Sequence, residues 1–180
     1  MKWLKTCFFT SVLMVALVGC GEETSHPAGS TQHEDHASHS TTGEVPEGLK
    51  EAANPMFQAG SQVMIRDEHM PGMKGAKATV AGAYETVVYT VSYTPVAGGD
   101  EVTNHKWVIH EEIQDAGSDP LKAGTTVVLT ADHMPGMKGA KATVDSAHST
   151  TVYMIDFLPT TGGAMVKNHQ WVTENELSPL

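Results

Sequence analysis

Apolar and polar residues alternate with a period of two along several short stretches, the pattern of half-buried strands rather than of helices. Val63 and Ile65 share one face of "SQVMIRDEH". Val87, Tyr89, Val91 and Tyr93 share one face of "TVVYTVSY", and Tyr153, Ile155 and Phe157 repeat that face later in the chain. "KATVAGAY" and "TNHKWVIHEE" supply two more candidate strands, while the turn-rich "TPVAGGDE" and "LPTTGGAM" read as links between strands. The spacing predicts an all-β protein.

The pattern occurs twice. One unit runs from about Pro55 to Asp115 and the other from about Pro120 to Leu177, at an offset of 64 residues, joined by the linker-like "DAGSDPLKAG". Two copies are too few for a solenoid, so tandem domains are expected over residues 55–117 and 118–180. Four or five short strands in about 60 residues fit a small closed barrel of the SH3-like kind, because closure removes exposed strand edges. A domain that small buries only about 60% of its unfolded surface, so packing between the copies, or a ligand, is expected to help.

Ahead of the repeats the pattern changes. Lys2 and Lys5 precede the apolar run "CFFTSVLMVALV", Cys7 to Val18, which reads as an export signal over residues 1–19 and is too short to span a bilayer comfortably. "LVGC", Leu17 to Cys20, resembles the lipobox of bacterial lipoproteins, in which Cys20 becomes the lipid-modified new terminus. An ordinary cleavage site with a chance cysteine is the alternative. Residues 20–54 then form an anchor and linker: "GEETSHPAGSTQHEDHASHSTTGEVPEGL", Gly21 to Leu49, is too polar for a core and is expected to be a disordered tether. The expected location is the extracytoplasmic face of the cell membrane, held by lipid.

Charge narrows the function classes. Setting aside Lys2 and Lys5 leaves nine Lys and Arg against twenty-one Asp and Glu, 9 − 21 = −12. So acidic a body is a poor partner for nucleic acid or anionic surfaces and favours cations. With Cys7 removed and Cys20 lipidated there is no thiol left for catalysis, disulfide or soft-metal binding. The chain also lacks a Gly-x-Ser-x-Gly elbow, a His-Glu-x-x-His pair and a phosphate loop. The expectation is that it is not an enzyme.

Identity between the copies is uneven. The twelve residues His69–Val80 and His133–Val144 are identical, but only thirteen of the thirty-three from Ala81 to Ile113 match Asp145 to Leu177. Met70-Pro71-Gly72-Met73 carries Pro and Gly at the centre of a type II turn, as does its second copy. Such a turn brings Met70 near Met73, and Met134 near Met137, each pair beside His69 or His133. Thioethers select monovalent copper, whereas imidazole serves copper in either state as well as zinc. The competing reading is that the methionines fill a small core.

"NHKW" and "NHQW", Asn104–Trp107 and Asn168–Trp171, form a second repeated fragment. On a regular strand His105 and Trp107 share a face, as do His169 and Trp171. The tryptophans are expected in the core, and His105 and His169 either complete the metal sites or bond to backbone. His26, His33, His36 and His39 in the tether form a secondary candidate site for cupric, nickel or zinc ions, unless they are incidental to a polar linker.

"DHMPGMKGAKATV", "TTVYMIDFLPTTGG" and "VKNHQWVTENEL" resemble the YdhK domain, a family of tandem repeats in exported bacterial lipoproteins, over roughly two thirds of the chain. Some members, the CopL-type lipoproteins, are associated with extracellular copper binding and copper tolerance. The resemblance implies a membrane-anchored, extracytoplasmic copper-binding lipoprotein that buffers or sequesters the metal. Its ligands are expected to be His69, Met70, Met73 and His105, and His133, Met134, Met137 and His169, with Cu(I) at the Met/His sites and Cu(II) at the tether. The expected partners are the metal ion and the membrane; a copper-export partner is not identified by the sequence. Glu68 in one copy stands where Asp132 stands in the other, which argues against an obligatory carboxylate ligand there. The alternative function is a non-catalytic cell-wall or peptide-binding module with SH3-like barrels.

Overall fold

The all-β reading holds in the computed structural model, which describes residues 41–180. The strands are β1 (Lys50–Glu51), β2 (Gln62–Ile65), β3 (Lys77–Tyr93), β4 (Val102–Ile109), β5 (Thr126–Val128), β6 (Lys141–Phe157), β7 (Val166–Thr173) and β8 (Leu177–Pro179). A single 3-10 turn follows β4 (His110–Glu112) and another follows β7 (Glu174–Glu176). "KATVAGAY" and "TVVYTVSY" are not separate strands: Glu85 between them pairs with Thr151, so β3 runs for 17 residues.

The two long strands organise everything else. β3 and β6 pair antiparallel from Ala78↔Phe157 to Tyr93↔Ala142, so the first half of each lies beside the second half of the other. β4 pairs with the end of β3 and β7 with the end of β6. β2 and β5 pair with the beginnings of β3 and β6. β8, from the second copy, pairs with β2 of the first, and Ile113, from the first copy, bridges to Leu129 of the second. Both copies therefore belong to one eight-stranded antiparallel sheet, whose path β5-β6-β3-β2-β8 does not close on itself.

Packing follows the same exchange. One core joins Val63, Ile65, Met73, Ala78 and Val80 of the first copy to Tyr153, Ile155, Phe157, Val172 and Leu177 of the second. The other joins Tyr89, Val91, Tyr93, Val108 and Ile113 to Leu129, Met137, Ala142 and Val144. Each lobe is thus built from the front of one repeat and the back of the other. A third cluster, with Tyr84, Val88, Trp107, Ile109, Val152, Met154 and Trp171, joins residues of both copies around the middle of the long strands.

The end of the expected tether is not loose. Thr41 donates its N–H to the Lys167 carbonyl and its hydroxyl to that of Asn168; Leu49 packs on the third cluster; and β1 pairs with β3. Leu49 is the apolar residue that fixes this segment, which composition alone had assigned to a flexible linker. Among the described residues no helix is long and apolar enough to cross a membrane.

All four tyrosines have phenols raised above their ordinary range, burial being the first cause in each. Tyr153 is pushed up to about 12, by burial and by donating to Glu174 Oε2 at 2.8 Å. Unfolded phenols ionise first, so this contribution to stability is complete below pH about 10 and drains away as pH rises towards 12. Melting temperature should fall across that window in step with tyrosinate absorbance, and Tyr153→Phe should flatten part of the slope.

Candidate functional site

The repeated turn forms as its sequence requires. Met73 N donates to Met70 O at 3.3 Å and Met137 N to Met134 O at 3.1 Å, with Gly72 and Gly136 at φ of 85° and 75°. Glycine is needed for space as well as for φ. A Cβ on Gly72 would lie 2.6 Å from Thr161 Oγ1, and one on Gly136 would lie 3.0 Å from Pro95. The turn docks on the other copy, its Gly72 and Gly136 carbonyls accepting from Thr160 N and Val96 N, both at 2.9 Å.

The turn does not expose two thioethers together. Met73 and Met137 are wholly buried in the two lobe cores, while Met70 and Met134 are half-buried against the edges of those cores. The fourth residue of each turn therefore packs the interior, and only the first remains near the surface.

The imidazoles meet carboxylates that sequence reading missed. His69 Nε2 donates to Glu176 Oε1 at 2.8 Å, and His133 Nε2 to Glu112 Oε1 at 2.7 Å. All four side chains are 6–8% exposed. Each glutamate is pinned by the start of its own 3-10 turn. Glu112 Oε2 accepts from Ile109 N at 3.1 Å, and Glu176 Oε2 accepts from Thr173 N at 2.8 Å and Thr173 Oγ1 at 2.9 Å. A tryptophan completes each arrangement: Trp107 Nε1 donates to Glu176 Oε2 at 2.8 Å and Trp171 Nε1 to Glu112 Oε1 at 3.1 Å. The signal for both glutamates was present in the sequence, since each stands five residues after the tryptophan of its own copy and survives among the few matches of the divergent segment.

His105 and Trp107 do not serve one site, which corrects the shared-face expectation. β4 slips register against β3 around His105, and β7 slips against β6 around His169. Asn104 and Asn168 adopt left-handed backbone at φ of 51° and 50°. His105 therefore lies beside His133, ring centroids 6.2 Å apart, while Trp107 lies beside His69, centroids 6.4 Å apart. In the second copy His169 faces His69 at 6.4 Å, and Trp171 reaches Glu112. The structure thus brings together His69, His169, Glu176 and Trp107 at one site and His133, His105, Glu112 and Trp171 at the other. Cys20, His26, His33, His36 and His39 lie outside the described residues.

The chemistry of these sites turns on the second ring nitrogen. A carboxylate accepts only, so in the neutral ring the proton of His69 and of His133 sits on Nε2 and Nδ1 keeps its lone pair. Nδ1 of both rings is buried without a hydrogen-bond partner among the described residues. Unpaired buried polar atoms are uncommon and costly. A carboxylate on one ring nitrogen and a free lone pair on the other is the arrangement of histidines that ligate metals. Two rings sharing one ion at about 2 Å would have centres about 5 Å apart at a tetrahedral angle and about 6.3 Å apart when linear, so the observed 6.4 and 6.2 Å lie at the near-linear end of that range.

The two sites differ in charge. At the first, Lys106 Nζ lies 2.8 Å from Asp67 Oδ2 and 3.7 Å from Glu176 Oε1, and 5.3 Å above the Trp107 ring. The hydrogen bond from Lys106 holds Asp67 well below the usual carboxylate range, and the bond to Asp67 raises Lys106 in turn. Burial pushes Glu176 up, but the hydrogen bond from His69, with donors from Thr173 and Trp107, outweighs it and leaves Glu176 low. At the second site Ala131 and Gln170 replace Asp67 and Lys106. That site borders a cavity of about 760 Å³, lined by Thr41, Thr42 and residues 44–47 together with Glu111, Glu112, Asp132, His133 and Lys138.

Residues 59–110 and 123–174 each match the family model described as a protein of unknown function, DUF1541. The chain is 54% identical over 178 residues to the "Uncharacterized protein YdhK" of Bacillus subtilis strain 168, covering 93% of this chain and 86% of that protein. A crystal structure of the DUF1541 family protein from that organism superposes with a TM-score of 0.78 at 59% identity, covering 82% of this chain and all of that one. A solution structure of the C-terminal domain of the B. subtilis protein gives a TM-score of 0.66 at 61% identity, covering 68% and 93% of the two chains.

Proposed function

The chain belongs to the DUF1541 family, and from that premise we propose that it is a non-catalytic, extracytoplasmic copper-binding lipoprotein, anchored through Cys20, that buffers or sequesters the metal. The observation that carries this reading is the pair of buried imidazoles with Nε2 held by a carboxylate and Nδ1 left with a lone pair. His69 with His169, and His133 with His105, supply nitrogen donors. Met70 and Met134 supply the soft sulfur that favours Cu(I); Met73 and Met137 pack the cores. The tether histidines, His26, His33, His36 and His39, add a weaker Cu(II) site. Each lobe is read as an SH3-like barrel completed by elements from both copies, so that every metal site needs both repeats.

Anaerobic titration with Cu(I) or Ag(I), followed by calorimetry, tests the proposal. Saturable uptake of one ion per histidine pair is expected. Met70→Leu with Met134→Leu should weaken it, while Met73→Leu with Met137→Leu should alter stability more than uptake. Absence of saturable uptake, or uptake untouched by His69→Ala with His133→Ala, would overturn it.

A further inference from the structure

The two sites are built from corresponding residues but sit in different electrostatic surroundings, and the difference has a direction. Position for position, Asp67 and Lys106 of the first site correspond to Ala131 and Gln170 of the second, and Asn175 corresponds to Glu111. At these positions the first site carries an acid and a cation, Asp67 and Lys106, while the second carries no cation and one acid, Glu111. Residues 41–47 contribute two more, Glu44 and Glu47, to the wall of the cavity that reaches Glu112 and His133. Gln170 Nε2 donates to the Glu44 carbonyl at 3.0 Å, so the residue that replaces the lysine holds this acidic wall in place. A cation approaching the second site meets an opening where Glu44, Glu47, Glu111, Glu112 and Asp132 outnumber the single lining lysine, Lys138. One approaching the first meets an ammonium already lodged between two carboxylates and over the indole.

We propose that the two sites fill in order: a soft monovalent cation binds first at His133 and Glu112, and Lys106 acts as a built-in competitor that weakens the site at His69 and Glu176. Lys106 is here a specificity-determining residue, not a ligand. The inference rests on the metal-binding reading above and adds to it which site loads first and what sets the order. Like charges within a few ångströms oppose each other, and partial exposure of the Lys106–Asp67 pair moderates the effect. Neutralising Lys106 should therefore tighten the first site about threefold to tenfold.

The two site tryptophans make the order readable without altering either site. Each indole N–H donates to the glutamate of its own site, Trp107 to Glu176 and Trp171 to Glu112, so their resonances report occupancy separately. The purified protein, labelled with ¹⁵N, is titrated with Ag(I). The Trp171 indole should shift before that of Trp107. Lys106→Gln should bring the Trp107 transition forward and narrow the gap, while Lys106→Arg, which keeps the charge, should leave the order as it was. Simultaneous movement of both indoles, Trp107 moving first, or an order unaffected by Lys106→Gln would overturn the inference and leave the metal-binding reading standing. No silver uptake, with both indoles still, would overturn both.

Discussion

Replacing Glu176 with alanine is expected to cost the fold about 3–5 kcal/mol, and Glu112→Ala a similar amount. The size follows from what each carboxylate satisfies. Removing Glu176 strands the His69 Nε2–H, the Trp107 Nε1–H and the Thr173 N–H in a buried space. Removing Glu112 strands the His133 Nε2–H, the Trp171 Nε1–H and the Ile109 N–H. Each buried donor without an acceptor costs about 1–3 kcal/mol, and water entering the vacated space recovers part of the sum. Glutamine keeps the volume and one acceptor but turns an N–H towards groups that are themselves donors, so it should fall between alanine and the native residue. The exposed Glu101→Ala should stay within about 0.5 kcal/mol. Urea denaturation, followed by tryptophan fluorescence, reads all of these. An alanine variant as stable as the native chain would show that the buried carboxylates do not organise the lobes. Under the proposed metal-binding function, the same substitutions should lower metal affinity about tenfold to a hundredfold, the usual consequence of losing the carboxylate behind a ligating histidine.

Strand character, the doubled unit and the Pro-Gly turn were all legible in the sequence, because each is a local property. Period-two alternation marked Tyr89, Val91 and Tyr93 as one buried face, and they are buried. Pro71 and Gly72 marked a turn, and the turn forms. What sequence could not supply was partner choice. An alternating strand looks the same whether it pairs within its own copy or with the other, so the exchange of halves between β3 and β6 left no local trace. The surroundings of the His69 ring were hidden for the same reason. Met73 is as near to His69 in sequence as a ligand would be, yet its side chain enters the core, while the groups that contact the His69 ring come from β4, β7 and the final 3-10 turn. The matching Trp-to-Glu spacing of the two copies was the one long-range clue, and its meaning depended on knowing that each glutamate crosses to the other repeat.

That exchange yields the second large effect: neither repeat alone should fold as a monomer. A chain ending near residue 117 keeps β2, β3 and β4 but loses Tyr153, Ile155, Phe157, Val172 and Leu177 from one core and Leu129, Met137, Ala142 and Val144 from the other. A chain beginning near residue 118 suffers the reciprocal loss. Each fragment also bares the edge where β3 and β6 pair, from Ala78 to Tyr93 or from Ala142 to Phe157, a length of unpaired backbone that invites association. Mixed in equal amounts, the fragments should recover the native sheet, because every long-range pairing of the intact chain is available between them and the link at residues 115–124 supplies only loop closure, worth a few kcal/mol. Circular dichroism of each fragment should show no cooperative melt at low concentration, and the mixture should show a concentration-dependent one. A fragment that melts cooperatively as a monomer would mean that a repeat can close its own barrel. A fragment that forms a cooperative homodimer would instead fit the exchange, with a second copy of the same repeat standing in for the missing half. The indole resonances of Trp107 and Trp171 separate these cases, since each reaches its glutamate only when a partner repeat is in place.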